Sequence, residues 1–167
     1  MKFFSCLALL ATVATLASAN HEIRIHNNCK HRIWPGLLNN PGKALPDAGG
    51  FPLDAGHTHV IHVSDGWAGR VWARTGCNGA GHCETGDCGN KIQCHGAGGR
   101  PPVSLAEFTF DGHGGMDYYD VSLVDGYNLP IQITPIAGTF RKVGNSHYDC
   151  NAAGCHGDLN GHCPHEL

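Results

Sequence analysis

The sequence predicts an all-β fold, an antiparallel sandwich or barrel built from short strands. Glycine and proline account for 24 and 9 of the 167 residues, and they interrupt the chain so often that long helices have little room. The stretches between them are rich in β-branched and aromatic residues, as strands are. Predicted strands cover residues 22–26, 31–34, 57–63, 69–74, 105–110, 117–124 and 129–134. Short strands separated by turn signals are typical of sandwiches and barrels.

Strict alternation supports the first predicted strand, EIRIH, because Ile23 and Ile25 share one face and the charged residues share the other. The second, HRIW, follows after a short connection. In the third, His57 and His59 share a face while His62 points the other way. We interpret these histidines as surface groups.

The stretch LAEFTF assigns side chains to faces. Ala106, Phe108 and Phe110 alternate with Leu105, Glu107 and Thr109. The two phenylalanines form the natural core side. Glu107 is therefore predicted to point away from the core.

The next stretch, YDVSLVDGYNLP, carries two carboxylates and a turn signal. Asp125-Gly126 between β-rich runs predicts a hairpin, because glycine accepts positive φ without steric cost. Asp120 and Asp125 have opposite parity and would lie roughly 16 Å apart on a straight strand. They can share a cleft only if the chain bends at Asp125-Gly126.

Composition predicts a secreted protein. Residues 1–19, MKFFSCLALLATVATLASA, combine one lysine, an apolar run and a small-residue cleavage pattern, which indicates a signal peptide followed by one domain over 20–167. Without Lys2, 10 basic residues face 14 acidic ones, a balance that argues against nucleic acid as a partner. No second apolar run reaches the length of a membrane span.

Cysteine usage agrees with an oxidising compartment. Cleavage removes Cys6 from the 9 cysteines and leaves an even number, which predicts a disulfide framework. The tail contains a mixed set of histidines and cysteines, but their spacing fits no standard zinc pattern. We therefore expect no metal and no cofactor. The tail residues are His147, Cys150, Cys155, His156, His162, Cys163 and His165.

Eight blocks of sequence together resemble the thaumatin-like proteins, which include plant pathogenesis-related family 5. In order they read NNCKHRIWPG, GGFPLDAG, GRVWARTGC, CETGDCG, GAGGRPP, SLAEFTF, YDVSLVDGYNLP and CPHEL. The histidine-rich sequence over residues 76–91 resembles the invertebrate branch of that family. The resemblance extends from His21 to Leu167.

The resemblance implies a central antiparallel β-sandwich with disulfide-rich loops. It also implies the pairs Cys77–Cys83 and Cys88–Cys94. Family members continue beyond the CPHEL block into a second lobe and final strands, so we expect this chain to be a C-terminally truncated member. Family partners of the remaining cysteines would lie in that part, and their pairing stays open. These cysteines are Cys29, Cys150, Cys155 and Cys163.

The resemblance further implies β-1,3-glucan binding in an acidic cleft, antifungal defence and, in some members, weak endo-β-1,3-glucanase activity. Glu107 and Asp120 match the cleft's carboxylates and are the candidate catalytic acid and its partner. Arg70 and Asp125 are candidate glycan-binding residues. Aromatic faces at Tyr119 and Tyr127, and also at Tyr118 and Trp72, are candidate platforms for sugar rings. The fifth family acid has no counterpart here.

Hydrolysis would need one protonated and one ionised carboxyl, and the sequence favours binding over hydrolysis. The alternative is a non-catalytic extracellular interaction or stress-related protein with a degenerate cleft. In that case the exposed acids are solvated and Arg70 is only their ion-pair partner. The expected partner is β-1,3-glucan or another fungal cell-wall polysaccharide, bound by a monomer.

Overall fold

The computed structural model describes residues 20–140, Gly144 and residues 149–157. The predicted signal peptide, residues 1–19, lies outside the described residues. Within them the chain forms eight strands and two short 3-10 segments, Pro46–Gly49 and His113–Gly115. The strands are β1 (Asn20–His26), β2 (Trp34–Asn39), β3 (Thr58–Ser64), β4 (Ala68–Arg74), β5 (Leu105–Thr109), β6 (Tyr118–Ser122), β7 (Ile131–Ile133) and β8 (Ala153–Cys155).

The all-β prediction is confirmed, because every strand pairing is antiparallel. The strands form three sheets. One pairs β1 with β3, the largest has the order β2-β4-β5-β6, and the smallest pairs β7 with β8. None of the described helical segments is long and apolar enough to cross a membrane.

The first hydrophobic core lies between the β1–β3 sheet and one face of the four-stranded sheet. Ile23 and Ile61, which pair across β1 and β3, meet Leu37 and Val71 there. Trp67 is fully buried in the same core, and its indole N–H donates to the carbonyl of Ala44 at 2.9 Å. The strict alternation of β1 thus produces the expected result, with isoleucines inside and charged residues outside.

The second core lies on the opposite face of the four-stranded sheet. It contains Trp72 and Leu105, together with Val103 and the Cys88–Cys94 disulfide. The Trp72 ring lies so close to Gly36 that a Cβ there would come within 2.4 Å of it. The sheet is therefore covered on both faces at this end.

A loop over residues 77–94, which we call the disulfide-braced loop, covers the second core. Cys77 bonds to Cys83 and Cys88 bonds to Cys94, as the resemblance implies. Arg74, which is fully buried, donates to four backbone carbonyls, two on β2 and two in this loop. These acceptors are Trp34, Pro35, Lys91 and Ile92, at 2.7–3.1 Å.

The Asp87 carboxylate organises the backbone of the same loop. It accepts from the amides of Cys83 and Gly89 at 2.8 Å and of Asn90 at 2.9 Å. Burial acts to raise the pKa of Asp87, but these backbone hydrogen bonds outweigh it, and the pKa lies below its usual value. The carboxylate is therefore ionised at neutral pH.

Two strand predictions differ from the structure. The second strand runs over 34–39 and not 31–34, because Ile33 makes only an isolated bridge to Leu53 before the ladder with β4 begins. The hairpin predicted at Asp125-Gly126 is wrong as a hairpin, since β7 pairs with β8 and not with β6. The turn itself is present, and the amide of Gly126 donates to the carbonyl of Leu123 at 2.9 Å.

We predict that Arg74→Met lowers the free energy of unfolding by about 3 kcal/mol, because buried carbonyls would lose their charged donor. Urea unfolding measures the change. Arg24→Met is the matched control, since that side chain is 56% exposed and pairs with Glu22 on the same strand. The control should shift stability by less than about 0.5 kcal/mol. Equal effects of the two substitutions would contradict the role assigned to Arg74.

Candidate functional site

Three predicted site residues stand in one row across the four-stranded sheet. Arg70 on β4 pairs directly with Glu107 on β5, and Glu107 pairs directly with Asp120 on β6. Residues directly opposite one another in an antiparallel sheet project from the same face, with Cβ atoms roughly 4.5–5.5 Å apart. The register therefore brings a guanidinium and two carboxylates together. We refer to Arg70, Glu107 and Asp120 as the acid row.

The acid row lies on the face opposite the first core. Phe108, next to Glu107, packs against that core together with Phe110, so Glu107 points away from it as the alternation predicts. Leu105 shares the face of Glu107 and is buried in the second core. The disulfide-braced loop therefore covers one end of this face and leaves the acid row beside it.

Exposure increases along the acid row towards the edge of the sheet. Arg70 and Glu107 are half-buried, whereas Asp120 is exposed. Within the described part of the chain, no ion pair within 4.0 Å joins these three side chains to one another. Arg70 thus forms no salt bridge to Glu107 or Asp120, and all three side chains remain able to bind a ligand.

Asp125 lies outside the acid row. It follows β6 by three residues, in the turn closed by Gly126, and its backbone carbonyl accepts from the amide of Val103 at 2.9 Å. Ser122 pairs with Leu105, so the turn continues from that end of the sheet. The chain bends where the sequence predicts, and Asp125 is half-buried there.

Asn128 holds this turn in place, a role that sequence reasoning missed. Its amide nitrogen donates at 2.8 Å to the carbonyl of Ala73 and to the hydroxyl of Thr85. Its amide oxygen accepts from the backbone of Ser104 at 3.0 Å. These bonds join the turn to β4, to the disulfide-braced loop and to the start of β5. An asparagine just after Asp-Gly is the only local signal, and its partners are 24 to 55 residues away.

The candidate aromatic platforms fall into different environments. Tyr118 is 46% exposed and shares the face of Asp120, two residues along β6. Tyr119 has the opposite parity, and its hydroxyl donates to the carbonyl of Asn151 at 2.6 Å. Tyr127 is half-buried beside the turn. Trp72 is wrong as a platform, because it is buried in the second core with its indole N–H bonded to Gly86.

Cys150 lies beside Tyr119 at the β6 edge. Burial raises the pKa of the Tyr119 hydroxyl, and the Cys150 thiol adds to the rise. Among the described residues Cys29, Cys150 and Cys155 form no disulfide. Cys163 lies outside the described residues, as do His147, His162 and His165 of the tail.

Two surface hollows lie away from the acid row. One, of about 470 Å³, is lined by residues that include Phe51, Lys91 and Ile92. The other, of about 260 Å³, lies against the disulfide-braced loop near Glu84 and Arg100. Neither hollow is lined by a residue of the acid row. The acid row instead lies on an open face of the four-stranded sheet.

Comparison with known proteins assigns the chain to a family. Residues 27–167 match the Thaumatin family. The chain belongs to the thaumatin family. The finer placement in the invertebrate branch stays a prediction.

The relatives include plant proteins that are pathogenesis-related by name. The chain is 46% identical over 165 residues to the pathogenesis-related thaumatin-like protein 3.5 of Cryptomeria japonica, covering 96% of this chain and 64% of the relative. It is 40% identical over 167 residues to the glucan endo-1,3-beta-glucosidase of Prunus avium, covering 96% of this chain and 65% of that protein. The chain therefore spans a little under two thirds of the length of these relatives.

A solved structure supports the fold independently. The thaumatin-like xylanase inhibitor TLXI superposes with a TM-score of 0.54 at 27% identity, covering 80% of this chain and 91% of the inhibitor. The antiparallel, disulfide-braced architecture is thus that of a thaumatin-like protein.

We predict that Gly126→Ala destabilises the turn beside the acid row by about 2–3 kcal/mol. Its φ of +92° is unfavourable for alanine, and the added Cβ would lie 2.8 Å from the Cβ of Pro102. Gly138→Ala is the matched control, because Gly138 has a φ of +85° but nothing within 4 Å. Thermal or urea unfolding gives both values. The control should cost about 1–2 kcal/mol, and the difference isolates the clash; equal losses would show that Pro102 does not constrain the turn.

Proposed function

We propose that this thaumatin-family protein is secreted and binds β-1,3-glucan of fungal cell walls through the acid row, as part of antifungal defence. The observation that carries the proposal is the register that aligns Arg70, Glu107 and Asp120 on adjacent strands. Family membership and the name of the Prunus avium relative, a glucan endo-1,3-beta-glucosidase, favour a β-1,3-glucan as the ligand.

The chemistry of the acid row suits a polyhydroxylated ligand. Carboxylates accept hydrogen bonds from sugar hydroxyls, and a guanidinium donates several from a rigid plane. Because these side chains reach the surface and form no ion pair with one another, few protein contacts must be broken on binding. Tyr118 stands on the same face next to Asp120 and offers an apolar surface to a sugar ring. Tyr127 and Asp125 border the adjacent turn.

Hydrolysis is a further step of the same proposal. Glu107 and Asp120 are direct cross-strand neighbours, with Cβ atoms roughly 4.5–5.5 Å apart, a placement that suits the roughly 5 Å carboxyl spacing of retaining glycosidases better than the wider inverting spacing. Glu107 is the less exposed of the two and suits the role of acid, while Asp120 suits the role of nucleophile. Binding needs neither role, and so we propose binding first.

Secretion is supported by two features together. Residues 1–19 have the composition of a signal peptide. The two disulfides persist in oxidising compartments and are rare in the cytosol.

We predict that Glu107→Gln and Asp120→Asn each weaken retention on insoluble β-1,3-glucan about tenfold or more, since each removes a charge-assisted hydrogen bond worth roughly 1.5–3 kcal/mol. A pull-down with increasing amounts of glucan measures the change. Glu22→Gln is the matched control, because Glu22 lies on β1 in the separate two-stranded sheet and should bind like the parent.

Two outcomes would contradict the proposal. One is unchanged retention of both acid-row variants. The other is equal loss in Glu22→Gln, which would indicate a non-specific charge effect. A free-thiol count on each sample keeps misfolded protein out of the comparison, because Cys77, Cys83, Cys88 and Cys94 should all be oxidised.

A second candidate function is inhibition of a secreted glycosidase through the same fold. The observation that favours it is the match to TLXI, a xylanase inhibitor by name, whose chain is 91% covered. In this case the protein binds another protein, and the acids are solvated surface groups. The discriminating experiment is a xylanase assay with added protein. Inhibition without glucan retention would favour this second function.

A further inference from the structure

We propose that His21, Asp65 and Asp111, with Asp117 beside them, form a binding site for a divalent transition-metal ion, best suited to Zn²⁺. The four residues come from three segments of the chain. His21 is near the start of β1, Asp65 is in the β3–β4 turn, and the two remaining aspartates lie between β5 and β6. We call these four residues the His21 cluster.

The donor atoms of the His21 cluster converge on one imidazole. The Nε2 of His21 lies 2.9 Å from an oxygen of Asp111 and 3.5 Å from one of Asp65. Its Nδ1 lies 3.9 Å from an oxygen of Asp117. One ligand atom from each of His21, Asp65 and Asp111 lies within 4.8 Å of the other two. The carboxylates approach both nitrogens of the ring.

Two of these separations are close to those between the ligands of a bound zinc ion. Zinc binds imidazole nitrogen and carboxylate oxygen at about 2.0–2.2 Å, so tetrahedral ligands lie roughly 3.4 Å apart. The observed separations of 2.9 and 3.5 Å bracket that value. A set of one imidazole nitrogen with the carboxylates of Asp65 and Asp111 suits zinc and disfavours calcium, which prefers oxygen ligands only. Asp117 faces the other ring nitrogen and would not bind the same ion.

The imidazole is held in place from outside the cluster. The ring of His21 stacks on Phe110, with centroids 4.3 Å apart and planes inclined by only 7°. Phe110 in turn packs on the first core, and its amide donates to the carbonyl of Trp67 at 2.9 Å. A ligand that is oriented before binding loses little side-chain entropy when the metal enters.

The charge of the His21 cluster also calls for a cation. Three carboxylates face one imidazole, and in the described ranges none of the three pairs with a lysine or arginine within 4.0 Å.

The cluster is separate from the acid row. Asp117 precedes β6, whereas Asp120 lies within it, and the other members belong to segments that carry no acid-row residue. Zinc binding here would join the β1–β3 sheet to the connection between β5 and β6. A negative result for zinc binding would therefore not bear on the proposed glucan site. A negative result for glucan binding would likewise not bear on the zinc site.

The test is calorimetric titration of the secreted, purified protein with zinc chloride, after its accessible thiols have been alkylated. We expect one zinc per chain in the parent. Binding should be lost, or weakened about tenfold or more, in both His21→Ala and Asp65→Asn. His26→Ala is the matched control on the same strand, since His26 bonds to Thr58 outside the cluster, and it should bind like the parent.

A second readout protects the test against variants that fold poorly. Zinc should raise the melting temperature of the parent and of His26→Ala but not of Asp65→Asn, which keeps the size of the side chain. Three results would overturn the proposal. In the first, the parent binds no zinc; in the second, both cluster variants bind zinc as tightly as the parent does; in the third, binding is lost only in His21→Ala. The last would assign the metal to His21 without the carboxylates.

Discussion

The alternation of β4 is the constraint on which the rest of the molecule depends. This strand lies between β2 and β5 in the main sheet. Val71 points into the first core, whereas Trp72 points into the second. Arg70 and Arg74 have the parity of Trp72, and so one joins the acid row while the other enters the disulfide-braced loop. Because the side-chain period of a strand is two, a slip of one residue would exchange all of these environments at once.

Local pattern was enough to predict much of the fold. The alternation in EIRIH predicts β1 and its inward isoleucines, and the Phe108–Phe110 pair correctly identifies the core side of β5. The missed features are those that depend on distant partners. The Asp125-Gly126 signal correctly predicts a turn, but it does not predict the path of the chain after that turn. Asn128 donates hydrogen bonds to Ala73 and Thr85, and the chain therefore does not form a strand paired with β6. Strand β8 has no local signal of comparable strength.

In the candidate site, too, local pattern predicts some features, whereas others depend on partners that are distant in sequence. Parity alone places Glu107 away from the core, but only the register of three strands shows that it stands directly between Arg70 and Asp120. Parity also places Tyr118 and Tyr119 on opposite faces of β6, so the presence of both aromatic residues in the sequence does not by itself put both beside the site. The His21 cluster lies beyond sequence reasoning altogether, since His21 and Asp111 are 90 residues apart and no motif joins them. Family resemblance directs attention to the acid row and away from such a cluster.

The most direct test of the central claim is an NMR titration of the isotope-labelled protein with a soluble β-1,3-glucan oligosaccharide. We expect the largest amide shifts on β4, β5 and β6 around Arg70, Glu107 and Asp120, with smaller shifts at the turn that contains Asp125. Amides of β1 and β3 should remain unchanged, because that sheet covers the opposite face. Shifts confined to the hollow near Phe51 and Lys91, or no shifts at saturating oligosaccharide, would contradict the assignment of glucan binding to the acid row.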